Sequence, residues 1–175
     1  MSAENSPEAK RKVIVLGNNL SVVQDLGGEG VRCVVLNHHR AIATYSRYAT
    51  YAQCPDPSTM EDRAIDFLYD LCQKEGDLPV VLPVTDQWSM AVARHASRLR
   101  EVSIPCTAEW EAVELMLHKD RFSQWARERG IKTPRTWTQE EVLRLPPEEY
   151  PVVVKPRLHR WSGNGDPQHL HADMI

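Results

Sequence analysis

Lys12-Val-Ile-Val-Leu-Gly17-Asn-Asn-Leu20 opens the stretch that decides the fold. It runs on through Ser21-Val-Val-Gln-Asp-Leu-Gly-Gly-Glu29 to Gly30-Val-Arg-Cys-Val-Val-Leu36. Two strand-length apolar runs flank a helix-capable segment, and the first run ends on a glycine. Uninterrupted apolar runs suit strands covered on both faces, and a helix between two of them makes a β-α-β unit with parallel strands. Gly27 and Gly28, near the end of the helical segment, predict its stop.

The same alternation continues outward. Ser58 or Thr59 is placed to cap a helix reaching about Lys74, with Ile65, Leu68, Leu71 and Cys72 on one face and Gly76 closing it. Leu78-Pro-Val-Val-Leu-Pro-Val84 is a third apolar run. Thr85 and Asp86 then cap a helix over 87–100 that carries Met90, Ala93 and Ala96 inward. The tyrosine-rich segment from Tyr45 to Pro57 reads as a loop, because Pro55 and Pro57 end any strand there. Helices are expected over 109–117 and 120–129 with Gly130 as their stop, then a short helix over 139–145 opened by Thr138. A fourth apolar run, Val152 to Lys155, predicts a strand. The fold class is α/β. An open, mostly parallel, Rossmann-like sheet is expected over 12–107, after a polar leader at 1–11, with a partial α+β module over 108–175.

Composition narrows the function classes. The 175 residues are 42% hydrophobic with 8 Gly, which suits a packed core, and the formal net charge is −3. Basic residues alternate with acids along the helices, so no cationic stripe for a nucleic-acid backbone is expected. Apolar runs are strand-sized, well short of the roughly 20 residues of a membrane helix. The leader lacks an apolar segment, so the expectation is a cytoplasmic protein without membrane contact. Cys33, Cys54, Cys72 and Cys106 show no metal-ligand spacing and are expected to be buried free thiols, and His169 and His171 lack a third metal ligand. Trp110 and Trp125, at helical spacing, are expected in the core.

Three places could carry chemistry. The turn Gly17-Asn18-Asn19-Leu20-Ser21 lies where doubly wound sheets bind ligands, at a strand's carboxyl end and a helix N-terminus. It lacks a full G-x-G-x-x-G, and Asn37-His38-His39 stands where a ribose-binding acid would follow the second strand, which disfavours a dinucleotide. Asn18 or Asn19 could equally be a plain helix cap. Asp86 has the same two readings, cap or cleft residue. Lys155, ending an apolar strand, is an awkward place for a charge unless an anion meets it, and Lys119 on a helix could supply a second cation. Arg157 and Arg160 flank Ser162-Gly163-Asn164-Gly165, and Arg157 could meet phosphate as a bidentate donor.

Four segments in order, "GNNLSVVQDLGGEGVRCVVLN" from Gly17, "LPVTDQ" from Leu82, "HKDRFSQWARERGIKTPRTW" from His118 and "YPVVVKPR" from Tyr150, resemble the ATP-grasp superfamily. The likeness looks nearest to its predicted carboxylate-amine ligase branch. It implies a pre-ATP-grasp domain followed by the opening of the nucleotide fold, with Lys119 and Lys155 holding ATP phosphates. It departs from the family at His118, where an acid often stands, and in the glycine-rich lid, represented by residues 162–165. The family's magnesium-binding and catalytic residues come later than residue 175. The resemblance therefore implies ATP and Mg2+ as cofactors and a small carboxylate or amino acid as substrate. It implies a ligase acting through an acyl phosphate attacked by an amine or thiol, with the 175-residue chain idle by itself. Two other readings compete: a non-catalytic small-ligand or nucleotide-binding module using Gly17 to Ser21 and Asp86, and an assembly domain that forms homo-oligomers.

Overall fold

The computed structural model describes residues 11–154. They divide into two compact units, Met1–Trp110 and Glu111–Ile175. The first is built on five parallel strands: β1 (Val13–Leu16), β2 (Cys33–Asn37), β3 (Ala49–Gln53), β4 (Val80–Pro83) and β5 (Ile104–Pro105). Their order across the sheet is β3-β2-β1-β4-β5. The parallel α/β architecture expected from the sequence is the one observed.

Period-two alternation explains why β1 is apolar throughout. Val13 and Val15 join one core with Cys33, Val35 and Val23, while Ile14 and Leu16 join the other with Val34, Leu36 and Val81. Helix α1 (Leu20–Gly28) covers the first face, and α2 (Glu61–Glu75), α3 (Asp86–Arg94) and α4 (Ala96–Leu99) cover the second. A strand buried on both faces has no polar position to offer, and Ile14, Val15 and Leu16 are fully buried.

Several local expectations are corrected. The tyrosine-rich segment is not all loop: a 3-10 turn, Ile42–Tyr45, leads into β3, which pairs in parallel with β2 before Pro55 is reached. The prolines set its end rather than forbid it, and the edge position tolerates exposed Thr50 and Gln53. Neither Ser58 nor Thr59 caps α2. Met60 occupies that place, and Ser58 bonds the Asp56 carboxylate instead, through N at 2.9 Å and Oγ at 2.7 Å. The helix expected over 87–100 breaks at His95, whose ring lies 3.5 Å from Glu61 and 3.8 Å from Asp62.

Gly27 and Gly28 lie inside α1 rather than past its end. The stop is Gly30, whose N–H donates to Gly27 O while Val31 N–H donates to Leu26 O, the paired bonds of a Schellman motif. Gly27 has a different reason to be glycine: a Cβ there would sit 2.2 Å from Tyr48 Cβ. Helix propensity alone would favour Gly27→Ala by about 1 kcal/mol. The obstruction is close to the Tyr48 backbone and cannot swing aside, so the net change is expected to be a loss of about 1–3 kcal/mol. A urea midpoint above that of the parent chain would show that Tyr48 does yield.

The second unit holds α5 (Trp110–Leu117, entered from the first unit), α6 (Lys119–Glu128), α7 (Gln139–Val142) and a 3-10 turn, Pro147–Glu149. Gly130 does end α6, with the same Schellman pair as Gly30. Thr138 opens α7 by a reciprocal exchange. Its Oγ1 accepts from Glu141 N–H and its own N–H donates to the Glu141 carboxylate at 2.7 Å, which holds that carboxyl below its ordinary range. The helix is shorter than the expected 139–145. The apolar run before Lys155 forms no strand over 151–154, and Val153 is 81% exposed. A strand needs a neighbouring ladder, and none pairs with these residues among those described. Trp110 and Trp125 are half-buried, each under an arginine, Arg94 and Arg129 respectively, at 4.4 Å; among the described residues the buried tryptophan is Trp88.

Candidate functional site

The strand order places a topological switch between β1 and β4. From β1 the chain steps outward to β2 and β3, then returns to the other side of β1 with β4. In open α/β sheets the crevice outside the carboxyl ends at such a point is where ligands bind. Gly17 to Ser21 follow β1, and Thr85 with Asp86 follow β4, so the structure brings all six crevice residues read from the sequence to this edge.

Each has a defined local role. Gly17 N–H donates to Leu36 O at 2.9 Å, continuing the sheet, and then turns at φ 109°. A Cβ on it would lie 2.7 Å from Thr85 Cγ2, so the turns after β1 and β4 are in contact. Asn18 Oδ1 accepts from Ala43 N–H at 2.9 Å, which ties the turn to the 3-10 segment after β2. Asn19 Oδ1 accepts from Val22 N–H at 3.2 Å and caps α1, so the cap reading describes Asn19 and not Asn18. Leu20 is half-buried, and Ser21 is exposed on the first turn of α1. Thr85, not Asp86, is the cap of α3, through Oγ1 and Trp88 N–H. Asp86 is the first helical residue, where its charge suits the positive end of the helix.

Of the other site residues, Lys119 is the one among those described. Lys119 begins α6 in the second unit and is half-buried. Lys155 and Arg157 lie outside the described residues, as do Arg160, the glycine-rich 162–165 segment, His169 and His171.

The three buried thiols are poor nucleophiles. Burial pushes Cys54 up to about 12, with the Asp56 charge adding to it, and Cys72 up to about 11; Cys33 is raised by burial as well. Cys106 is exposed, contrary to the expectation of four buried thiols. Among the described residues no group of three His, Cys, Asp or Glu side chains could hold a metal ion, and no helix is long and apolar enough to cross a membrane.

Sequence reasoning missed one feature beside the crevice. Arg40, just past β2, lies with its guanidinium carbon 4.9 Å from the Tyr51 ring centre and 5.6 Å from that of Tyr45. The signal lies in His38-His39-Arg40, but the tyrosines that hold the arginine belong to a strand and a turn whose sequence reads as loop.

No protein-family model matches the sequence, and a search of curated proteins finds no match. Among solved structures, the chain is similar to an L-amino acid ligase from Bacillus licheniformis, at 16% identity and a TM-score of 0.60, over 85% of this chain and 38% of that one. An N5-carboxyaminoimidazole ribonucleotide synthetase from Thermotoga maritima aligns at 18% identity and a TM-score of 0.49, over 85% and 39%. The chain thus spans less than two fifths of either structure. At the level of fold, the resemblance to the ATP-grasp superfamily agrees with the structure: this chain carries the α/β architecture found in part of the L-amino acid ligase.

Proposed function

We propose that this chain is the N-terminal part of an ATP-dependent ligase that joins a small carboxylate or amino acid to an amine or thiol through an acyl phosphate. The observation that carries this reading is a switch-point crevice, framed by Gly17 to Ser21 and by Thr85 with Asp86, in a fold shared with an L-amino acid ligase. In this reading the crevice takes the substrate. Backbone N–H groups at the starts of α1 and α3 face an anionic group, and the Asp86 carboxylate suits a cationic amine.

Lys119, Lys155 and Arg157 are assigned to the ATP phosphates. A lysine at the first position of a helix works against the helix dipole, and a phosphate placed there would be attracted by both. ATP would supply the phosphoryl group that activates the carboxylate. The chain's own part is binding, since catalysts of phosphoryl transfer act largely by positioning. No step is assigned to magnesium, because no described cluster fits it. On its own, a chain spanning 38% of the ligase it resembles is proposed to turn over no substrate.

The test is a calorimetric titration of the 175-residue chain with ATP. Saturable binding is expected, weakened roughly tenfold, or about 1.4 kcal/mol, by Lys155→Ala. ATP binding that ignores Lys155 would refute the assignment. A small ligand that binds with full affinity to Lys155→Ala and fails to bind Asp86→Asn would favour the non-catalytic module, for which the crevice alone suffices.

A further inference from the structure

We infer that His38, His39 and Arg40, where the chain leaves β2, form a subsite for an oxyanion, a carboxylate or phosphate carried by a small molecule seated in the neighbouring crevice. An apolar strand here empties into three consecutive basic side chains.

Their backbone is held from several sides. The buried Asn37 donates through Nδ2 to His39 O at 2.9 Å, and its own carbonyl accepts from Cys54 N–H at 3.2 Å and from the Tyr51 hydroxyl at 3.3 Å. Gln53 Nε2 donates to His38 O at 3.2 Å. Arg40, stacked on two tyrosine rings, has its planar fork restrained before any ligand arrives, which lowers the entropy lost on binding.

The other stacked arginines of this unit show what is different about Arg40. Arg94 lies over Trp110 and pairs with Glu61 at 2.8 Å; Arg98 lies over Tyr69 and pairs with Asp66 at 2.6 Å. Arg47, over Tyr48, bonds the hydroxyl of that ring. Arg40 is stacked twice, and no carboxylate pairs with it among the described residues. The acid of this cluster, Asp56, is 3.9 Å from His38 Nε2. Its oxygen Oδ1 is already taken by the two Ser58 bonds.

Reach is short. β2 lies beside β1, a spacing of roughly 4.8 Å, and the bond from Ala43 N–H to Asn18 Oδ1 joins the segment after Arg40 to the Gly17 turn. A ligand whose body sits at the crevice could extend an anionic group to the Arg40 fork, which matches carboxylate and phosphate bidentately.

The experiment needs no nucleotide, so it stands or falls apart from the ATP reading. The 175-residue chain is titrated separately with succinate and with inorganic phosphate while its amide spectrum is followed. Saturable shifts centred on His39, Arg40 and Tyr51 are expected with at least one of the two, and the responding one identifies the oxyanion. Binding should weaken roughly tenfold in Arg40→Gln and be only partly kept in Arg40→Lys, which preserves charge without the fork. Arg40 is exposed, so both variants should keep the parent's spectral dispersion. The absence of saturation with both anions, equal shifts with chloride at matched ionic strength, or unchanged affinity in Arg40→Gln would overturn the proposal.

Discussion

Trp88→Ala is expected to lower the stability of the first unit by about 3–5 kcal/mol, the range for removing a large buried aromatic. Trp88 is 1% exposed and belongs to the core shared with Ile14, Leu16, Val81, Ala91 and Val92. The loss would be a large part of the roughly 5–15 kcal/mol that holds a domain of this kind together. The backbone N–H at this position, which Thr85 Oγ1 caps, survives the substitution, so the loss is one of packing. Urea denaturation followed by far-UV circular dichroism measures the effect. Trp88→Phe should recover more than half of it, since much of the apolar volume returns. A loss below about 1 kcal/mol for the alanine variant would mean that the second face of the sheet is not anchored through this residue.

Gly17→Ala should cost about 2–6 kcal/mol, from two separable causes. Backbone at φ 109° is strained for an L side chain by about 1–3 kcal/mol, and the new Cβ would stand 2.7 Å from Thr85 Cγ2, an overpacking worth about 1–3 kcal/mol more. The obstruction is the methyl of a β-branched side chain whose rotamer is pinned by its cap bond, so it has little freedom to retreat. Adding Thr85→Ser removes that methyl and keeps the hydroxyl. The double variant is therefore expected to regain the steric part, about half the loss in midpoint, and not the backbone part. A Gly17→Ala variant as stable as the parent would contradict the contact between the two turns on which the crevice depends.

The first β-α-β unit was legible because β1 and the first four residues of β2 are apolar on both faces, and a four-residue run without a polar position has few other interpretations. β4 and the capped start of α3 were legible for the same reason, together with Thr85. β3 was not. Half-buried, at an edge and followed by Pro55, it carries the alternation of a surface segment, and its strand state is imposed by the five-residue ladder to β2. The kink at His95 was equally hidden, since the acids that meet it come from α2. At the candidate site, the positions Gly17 to Ser21 and Asp86 followed from strand ends alone. The division of labour between Thr85 and Asp86 did not, because either residue type can cap a helix. Arg40 needed its two tyrosines in place before it stood apart from the other arginines.

The central position of β1 also sets the order in which this unit can come into being. Its neighbours enter at very different times: Cys33 soon after Val13 during synthesis, Val80 much later. At ribosomal rates the interval before β4 emerges is on the order of ten seconds, during which Ile14 and Leu16 have one flank unpaired. Helix α1 and β2 can shield one side at once, whereas the other waits for α2, β4 and Trp88. Pairings between such distant segments make for slow closure and a long exposure of a sticky ribbon. The nascent chain is thus most vulnerable to capture by other chains between the completion of β2 and the arrival of β4.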